Sequence, residues 1–72
     1  MEIKVVVGKN VRRYRELKGV SQEELAFDAE LHRTYVSGVE RGVRNPTVLI
    51  VAKLATALGV APCKLLEFNE DS

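Results

Sequence analysis

Apolar residues recur at helical spacing in several separate stretches of this chain. Val7, Val11 and Tyr14 fall at i, i+4 and i+7, the repeat that puts side chains on one helix face, so a first helix is expected over about 6–18. Gly19 follows it, and glycine is the usual residue just past a helix end. The segment before it, MEIKVV, is rich in β-branched residues. A lone strand would have no partner here, so this segment is expected to be an extended or fraying arm. Ser21 and Glu24 form a capping box at the start of a second helix, over about 22–29: the serine can accept from the Glu24 backbone and the carboxylate can reach back to the Ser21 N–H. Leu25 and Ala26, with Phe27 or Ala29 behind them, supply its apolar stripe. The small Ala26 suits a second helix crossing closely.

A third pattern runs over residues 33–40, with Tyr35, Val36 and Val39 inward. Leu31 points back into the core from the turn before it, and Val20 anchors the earlier corner. Gly42 is expected to stop this helix, and the loop 42–45 leads to Pro46 and a Thr47 cap. Val48, Val51, Leu54, Ala55 and Leu58 then form the inward face of a fourth helix over about 48–58, which Gly59 ends. A fifth, short helix over about 62–66 tolerates Pro62 in its first turn. The tail FNEDS is expected to fray, with Phe68 tucking under. The fold class expected is all-α: a compact five-helix chain.

Length makes this one domain, residues 1–72, and a chain so short gains from oligomerisation. Its 46% apolar and 29% charged residues are globular rather than disordered. Nothing approaches the run of about 18 apolar residues that a membrane span needs, and no signal-peptide pattern precedes the fold. The single cysteine, Cys63, excludes an internal disulfide framework and is compatible with a reducing cytoplasm. Net charge is only +1, but distribution matters more than the sum. Lys9, Arg12, Arg13, Arg15 and Lys18 face one acid, Glu16, within 9–18. Arg33, Arg41 and Arg44 face only Glu40 within 31–47, while Glu23, Glu24, Asp28 and Glu30 gather on the second helix. A basic side is expected on a near-neutral protein.

The outward face of the third helix holds Arg33, Thr34, Ser37 and Gly38: a cation, two hydroxyls and a hole. A helix made only for solubility would more usually carry Glu and Lys there. Two short helices joined by a tight turn, the second with such a face, read as a helix-turn-helix over about 21–42. SQEELA followed by a turn and RTYVSGVERG resembles the helix-turn-helix of the phage-repressor and xenobiotic-response-element (XRE) family of bacterial regulators. Gly8, Val11, Arg12, Tyr14, Arg15 and Gly19 extend the match upstream, and Pro46–Thr47–Val48 and LATALGV extend it downstream. Within the family, HRTYVSGVERGVRN is similar to the controller proteins that time restriction-modification genes.

The resemblance implies a lambda-repressor-like DNA-binding domain with the third helix in the major groove. Arg33 and Thr34 stand at its N-terminal end, which meets base edges in this geometry; arginine can pair with guanine and threonine can meet thymine. A solvated arginine is the plain alternative. Gln22 opens the second helix, where free N–H groups and an amide can hold a phosphate, or it is a simple first-turn residue. Ser37 and the Tyr35 hydroxyl are further phosphate candidates, although the tyrosine ring can serve the core as well. Arg44 and Asn45 lie in the following loop, where by resemblance Arg44 reaches a base or phosphate, unless it is a solvated loop residue. At position 38 phage repressors often carry a base-reading side chain; glycine supplies none. Arg15 and Glu40 match a family salt bridge between the first helix and the end of the third, and Arg41 lies close by. Glu30 occupies the turn position where the family has glycine or asparagine, a site that tends towards positive φ. His32 stands where a capping serine, threonine or aspartate is usual.

One histidine and one cysteine, without a partner pattern, make no metal or nucleophile site; Cys63 reads as a small buried hydrophobe. No cofactor, small-molecule ligand or enzyme activity is expected. Leu49, Lys53 and Ala57 share a stripe on the fourth helix with Ile50 beside it. With Leu65 and Leu66 they suggest a dimer contact, against the alternative of scattered surface apolars. The function expected is a sequence-specific, homodimeric transcriptional regulator on a roughly palindromic operator. Its implied partners are double-stranded DNA, a second copy of the chain and RNA polymerase, in a bacterial or phage-infected cytoplasm at the nucleoid. The rival is a protein-interaction module such as an antitoxin or adaptor on the same fold. An antitoxin would more often carry a partner-binding segment beyond the fifth helix, where only about six residues are left.

Overall fold

The computed structural model describes residues 2–68. Four α-helices appear in order: α1 (Ile3–Lys18), α2 (Gln22–Asp28), α3 (Arg33–Glu40) and α4 (Val48–Leu58), followed by a 3-10 helix at Pro62–Leu66. The expected fifth helix is therefore one of 3-10 type, and the α-helices number four among the described residues. Helix α1 packs against α3, α4 and the 3-10 helix, while α2 packs against α3 and α4. Val7, Val11, Leu25, Val36, Val39, Leu54 and Leu65 lie at the centre, each with almost no exposure.

Local signals place most boundaries. The Glu24 N–H donates to Ser21 Oγ at 3.0 Å and the Ser21 N–H to Glu24 Oε1 at 2.9 Å, completing the capping box. Thr47 caps α4 by accepting from the Ile50 N–H. Gly19 and Gly59 close α1 and α4 in the left-handed region, with φ 78° and 75°. Glu30 takes φ 58° at the turn between α2 and α3, a conformation that costs a residue with a Cβ about 1 kcal/mol. The Leu31 N–H reaches back to the Ala26 carbonyl and closes that turn.

Four expectations need correction. Helix α1 begins at Ile3, so the presumed arm is its first turn. A β-carbon on Gly42 would lie 3.1 Å from Val5 Cγ2, and this packing outweighs the weak helix propensity of β-branched residues. Val48 is 88% exposed although it continues the inward stripe of α4. It borders an open apolar groove of about 250 Å³ shared with Ile3, Val7, Pro46 and Leu66, and no described residue covers it there. Of the two candidates behind Leu25, Ala29 is buried and Phe27 stands in solvent. Phe68 is exposed as well, and the fraying expected of 69–72 lies outside the described residues. Cys63 is exposed, not buried, because the 3-10 helix turns its Leu65 side inward instead.

Asn10 had no part in the sequence reading. It is 3% exposed, and its Nδ2 donates to the carbonyls of Leu65 at 2.9 Å and Glu67 at 2.8 Å. One amide thus satisfies carbonyls at the end of the 3-10 helix and fastens that element to α1. At the other end of α1, Lys18 Nζ donates to the Ala57 carbonyl at 2.7 Å, one of the last α4 carbonyls that have no partner within the helix.

Candidate nucleic-acid interface

The corner between α1, α2 and α3 is set by Glu40. Arg15 Nε donates to Glu40 Oε2 at 2.6 Å and Arg15 Nη2 to Glu40 Oε1 at 3.1 Å, a bidentate pair. Arg15 Nη1 donates to the Val20 carbonyl at 3.0 Å, and Gln22 Nε2 donates to Glu40 Oε1 at 3.0 Å. The carboxylate side chain is only 4% exposed and that of Arg15 is 15% exposed. The hydrogen bonds that it donates to Glu40 hold the Arg15 guanidinium above its ordinary pKa, against the opposing effect of burial. A charge so enclosed is tolerated because both carboxylate oxygens accept hydrogen bonds, from Arg15 and Gln22. The consequence is geometric: the end of α3, the start of α2 and the end of α1 are held in one fixed relation.

Helix α3 rests on that corner with Val36 and Val39 fully buried. Its N-terminus is capped by His32, whose Nδ1 accepts from the Thr34 N–H at 3.2 Å. An imidazole nitrogen here does the work of the usual serine or aspartate oxygen. Arg33 and Thr34 follow the cap and are both exposed. Ser37, one turn on, is half-buried, and so is Tyr35. Arg44 and Asn45 are exposed in the loop beyond α3, and the Arg44 guanidinium lies over the Tyr35 ring, 5.8 Å from its centroid.

The structure thus gathers Arg33, Thr34, Tyr35, Ser37 and Arg44 on and around α3. Gln22 is half-buried and committed to Glu40 through one amide hydrogen, so its first task is to join α2 to α3. Asn45 borders the apolar groove with Pro46 and Ile3. Gly38 is not an open hole in the outward face. It is buried, because the Arg44 side chain lies across it.

The proposed contact surface on α4 changes too. Leu49 and Leu66 are exposed, at 66% and 48%, while Lys53 and Ala57 are half-buried. Ile50 packs partly against the core. Leu65 has no exposure and belongs to the core, so it cannot present a surface to a second molecule. With about three residues per turn, a 3-10 helix sends consecutive side chains some 120° apart, which separates Leu65 from Leu66.

The helix-turn-helix family profile matches residues 11–65, from the second half of α1 to Leu65 of the 3-10 helix. The chain belongs to the helix-turn-helix family. It is 48% identical over 68 residues to control protein C.BamHI of Bacillus amyloliquefaciens, across 93% of this chain and 84% of that protein. The crystal structure of the restriction-modification controller protein C.AhdI from Aeromonas hydrophila matches with a TM-score of 0.83 and 50% identity, over 86% of this chain and 94% of that one. A third match is the biofilm master regulator SinR in its complex with DNA, with a TM-score of 0.81 and 34% identity, over 85% of this chain and 98% of that one. These relatives are of the XRE type that the SQEELA and RTYVSGVERG segments resemble. Among the described residues, no helix is long and apolar enough to cross a membrane.

Proposed function

We propose that this chain is a sequence-specific, double-stranded-DNA-binding transcriptional regulator of the restriction-modification controller type, acting as a homodimer. The observation that carries the reading is the exposed start of α3, Arg33 and Thr34, set on a corner that Arg15, Glu40 and Gln22 hold rigid. A base-reading helix needs such a mount, because discrimination between base pairs depends on donors held in register with acceptors in the groove. As a regulator of this family, the chain is not an enzyme.

Arg33 and Thr34 read base edges at the N-terminal end of α3. Ser37, the Tyr35 hydroxyl and the second amide hydrogen of Gln22 meet phosphates, and Arg44 and Asn45 reach DNA from the loop. Residues 1–72 act as a single domain. Two copies, joined through Leu49, Ile50, Lys53, Ala57 and Leu66, place their α3 helices in successive major grooves, half-sites about 34 Å apart. RNA polymerase is the further partner of a regulator bound beside a promoter, and the cytoplasmic nucleoid is where it works.

A salt titration on the DNA upstream of its own gene tests the reading. A dimer meeting about 6–10 phosphates should lose roughly 10³–10⁵ in affinity between about 50 and 200 mM salt. A nearly flat salt dependence would overturn it.

A further inference from the structure

Helix α3 lacks a side chain at position 38, and the loop that follows supplies one. A β-carbon built on Gly38 would lie 2.6 Å from Arg44 Cγ, 3.3 Å from Nε and 3.5 Å from Cδ. The arginine stem therefore occupies the space that a residue with a Cβ would claim. Backbone bonds fix the same relation, because the Gly38 carbonyl accepts from the N–H groups of Val43 at 3.0 Å and Arg44 at 3.2 Å. Gly42, at φ 76°, makes the reversal that brings these donors back. The guanidinium then comes to rest over the Tyr35 ring at 5.8 Å, with no carboxylate among the described residues paired to it.

We propose that Gly38 is a positioning residue for DNA readout: its missing Cβ forms a seat in which Arg44 lies along α3, with its guanidinium oriented by Tyr35, so that Arg44 takes the place of the absent residue-38 side chain on the recognition face. This rests on the DNA-binding reading above and adds to it a specificity device made of Gly38, Arg44 and Tyr35. A cation held over the ring face interacts through its charge and keeps its N–H donors for other acceptors. Its complement on DNA is a bidentate acceptor pair, which either the N7 and O6 of a guanine or two oxygens of a phosphate can provide.

The seat makes a non-additive prediction. Gly38 does not hold a positive φ, so alanine fits the helix backbone there, and the clash falls on a side chain that can rotate away. Gly38→Ala should leave the protein folded and eject Arg44. On the upstream DNA, Arg44→Ala should weaken binding about 10-fold or more, Gly38→Ala should do so to a similar degree, and the double variant should be no weaker than Arg44→Ala alone. Losses that multiply in the double variant, or wild-type affinity in Gly38→Ala, would overturn the proposal. Nuclear magnetic resonance of the DNA-free protein separates this from a failure of the DNA-binding reading. Ring-shifted Arg44 side-chain resonances should move to random-coil values in Gly38→Ala and in Tyr35→Leu, and resonances that stay in place would refute the seat whether or not DNA binds. The two sources of the acceptor pair are distinguished on the DNA side. Insensitivity to Arg44→Ala after one guanine is replaced by 7-deazaguanine assigns the base, and insensitivity after one methylphosphonate is introduced assigns the phosphate. If Arg44→Ala still weakens every such DNA, the bidentate pairing is wrong.

Discussion

The Gln22 amide donates to Glu40 Oε1 at 3.0 Å, the same carboxylate oxygen that takes Arg15 Nη2 at 3.1 Å. The first residue of α2 and the last residue of α3 are thereby joined across the helix-turn-helix, with α1 as the third party. Rigidity of the motif depends on one buried carboxylate, and the residues proposed to meet DNA inherit it.

Glu40→Ala should therefore cost far more than an exposed ion pair would. It strips Arg15 of its counter-charge at a site with 15% side-chain exposure, and breaking such a pair from one side costs about 3–5 kcal/mol. Small domains have only about 5–15 kcal/mol in total, so the variant should unfold at much lower urea. Because Arg15 is raised above an already high pKa, its share of stability is complete below the unfolded-state value. It is lost only as pH rises through the still higher folded-state value. Urea midpoints of the Arg15→Met variant, relative to wild type, should accordingly differ by a constant amount from neutral to mildly alkaline pH; a difference that shrinks in that window would contradict the assignment.

Asn10 gives a second test, away from the proposed DNA side. Asn10→Leu keeps the bulk but leaves the Leu65 carbonyl without its donor, at a cost of about 1–3 kcal/mol. Asn10→Asp should be worse, since an ionised carboxylate accepts only and would face two carbonyls. Equilibrium urea unfolding ranks the pair, and wild-type stability of Asn10→Leu would show that the amide donors are not what holds the 3-10 helix.

Much of this was legible in the chain, and the exceptions share a cause. Caps depend on residues a few positions apart, so Ser21 with Glu24, Thr47 and Gly19 could be read directly, while the positive φ of Glu30 came through family resemblance. The Arg15–Glu40 pair came through family resemblance. What escaped depends on neighbours distant in sequence. Asn10 looks like any polar residue until the chain returns to it 55 positions later. Val48 lies on the predicted stripe, yet its exposure depends on whether α1 and the 3-10 helix close the groove above it. Leu65 and Leu66 look equivalent until the 3-10 geometry separates them. Gly38 read as an empty position because nothing in the local pattern shows that Arg44 folds back over it.

For base reading, Arg33→Ala is the direct probe. The side chain is exposed, so the fold should be unaffected, and loss of a bidentate base contact should cost about 1–3 kcal/mol on the preferred site only. Competition between operator and random DNA measures this. An equal loss on both would make Arg33 a phosphate contact.

Dimerisation through α4 and the end of the 3-10 helix can be tested without disturbing the core. Ile50 is unsuitable because it packs partly against that core, and Leu65 lies wholly within it. Leu49, at 66% exposure, and Leu66, at 48%, present side chains that the protomer itself does not use fully. Covering each against a second copy would contribute about 1.5–3 kcal/mol, and two-fold symmetry makes every substitution act twice. Leu49→Glu should thus shift the protein to monomer at micromolar concentration, with its helical circular dichroism unchanged. Operator affinity should fall with it, because one protomer meets one half-site and half the phosphates. Sedimentation equilibrium decides the matter. A Leu49→Glu protein that stays dimeric would move the interface to another apolar surface, and the groove that Ile3, Val48 and Leu66 leave open is the first place to look.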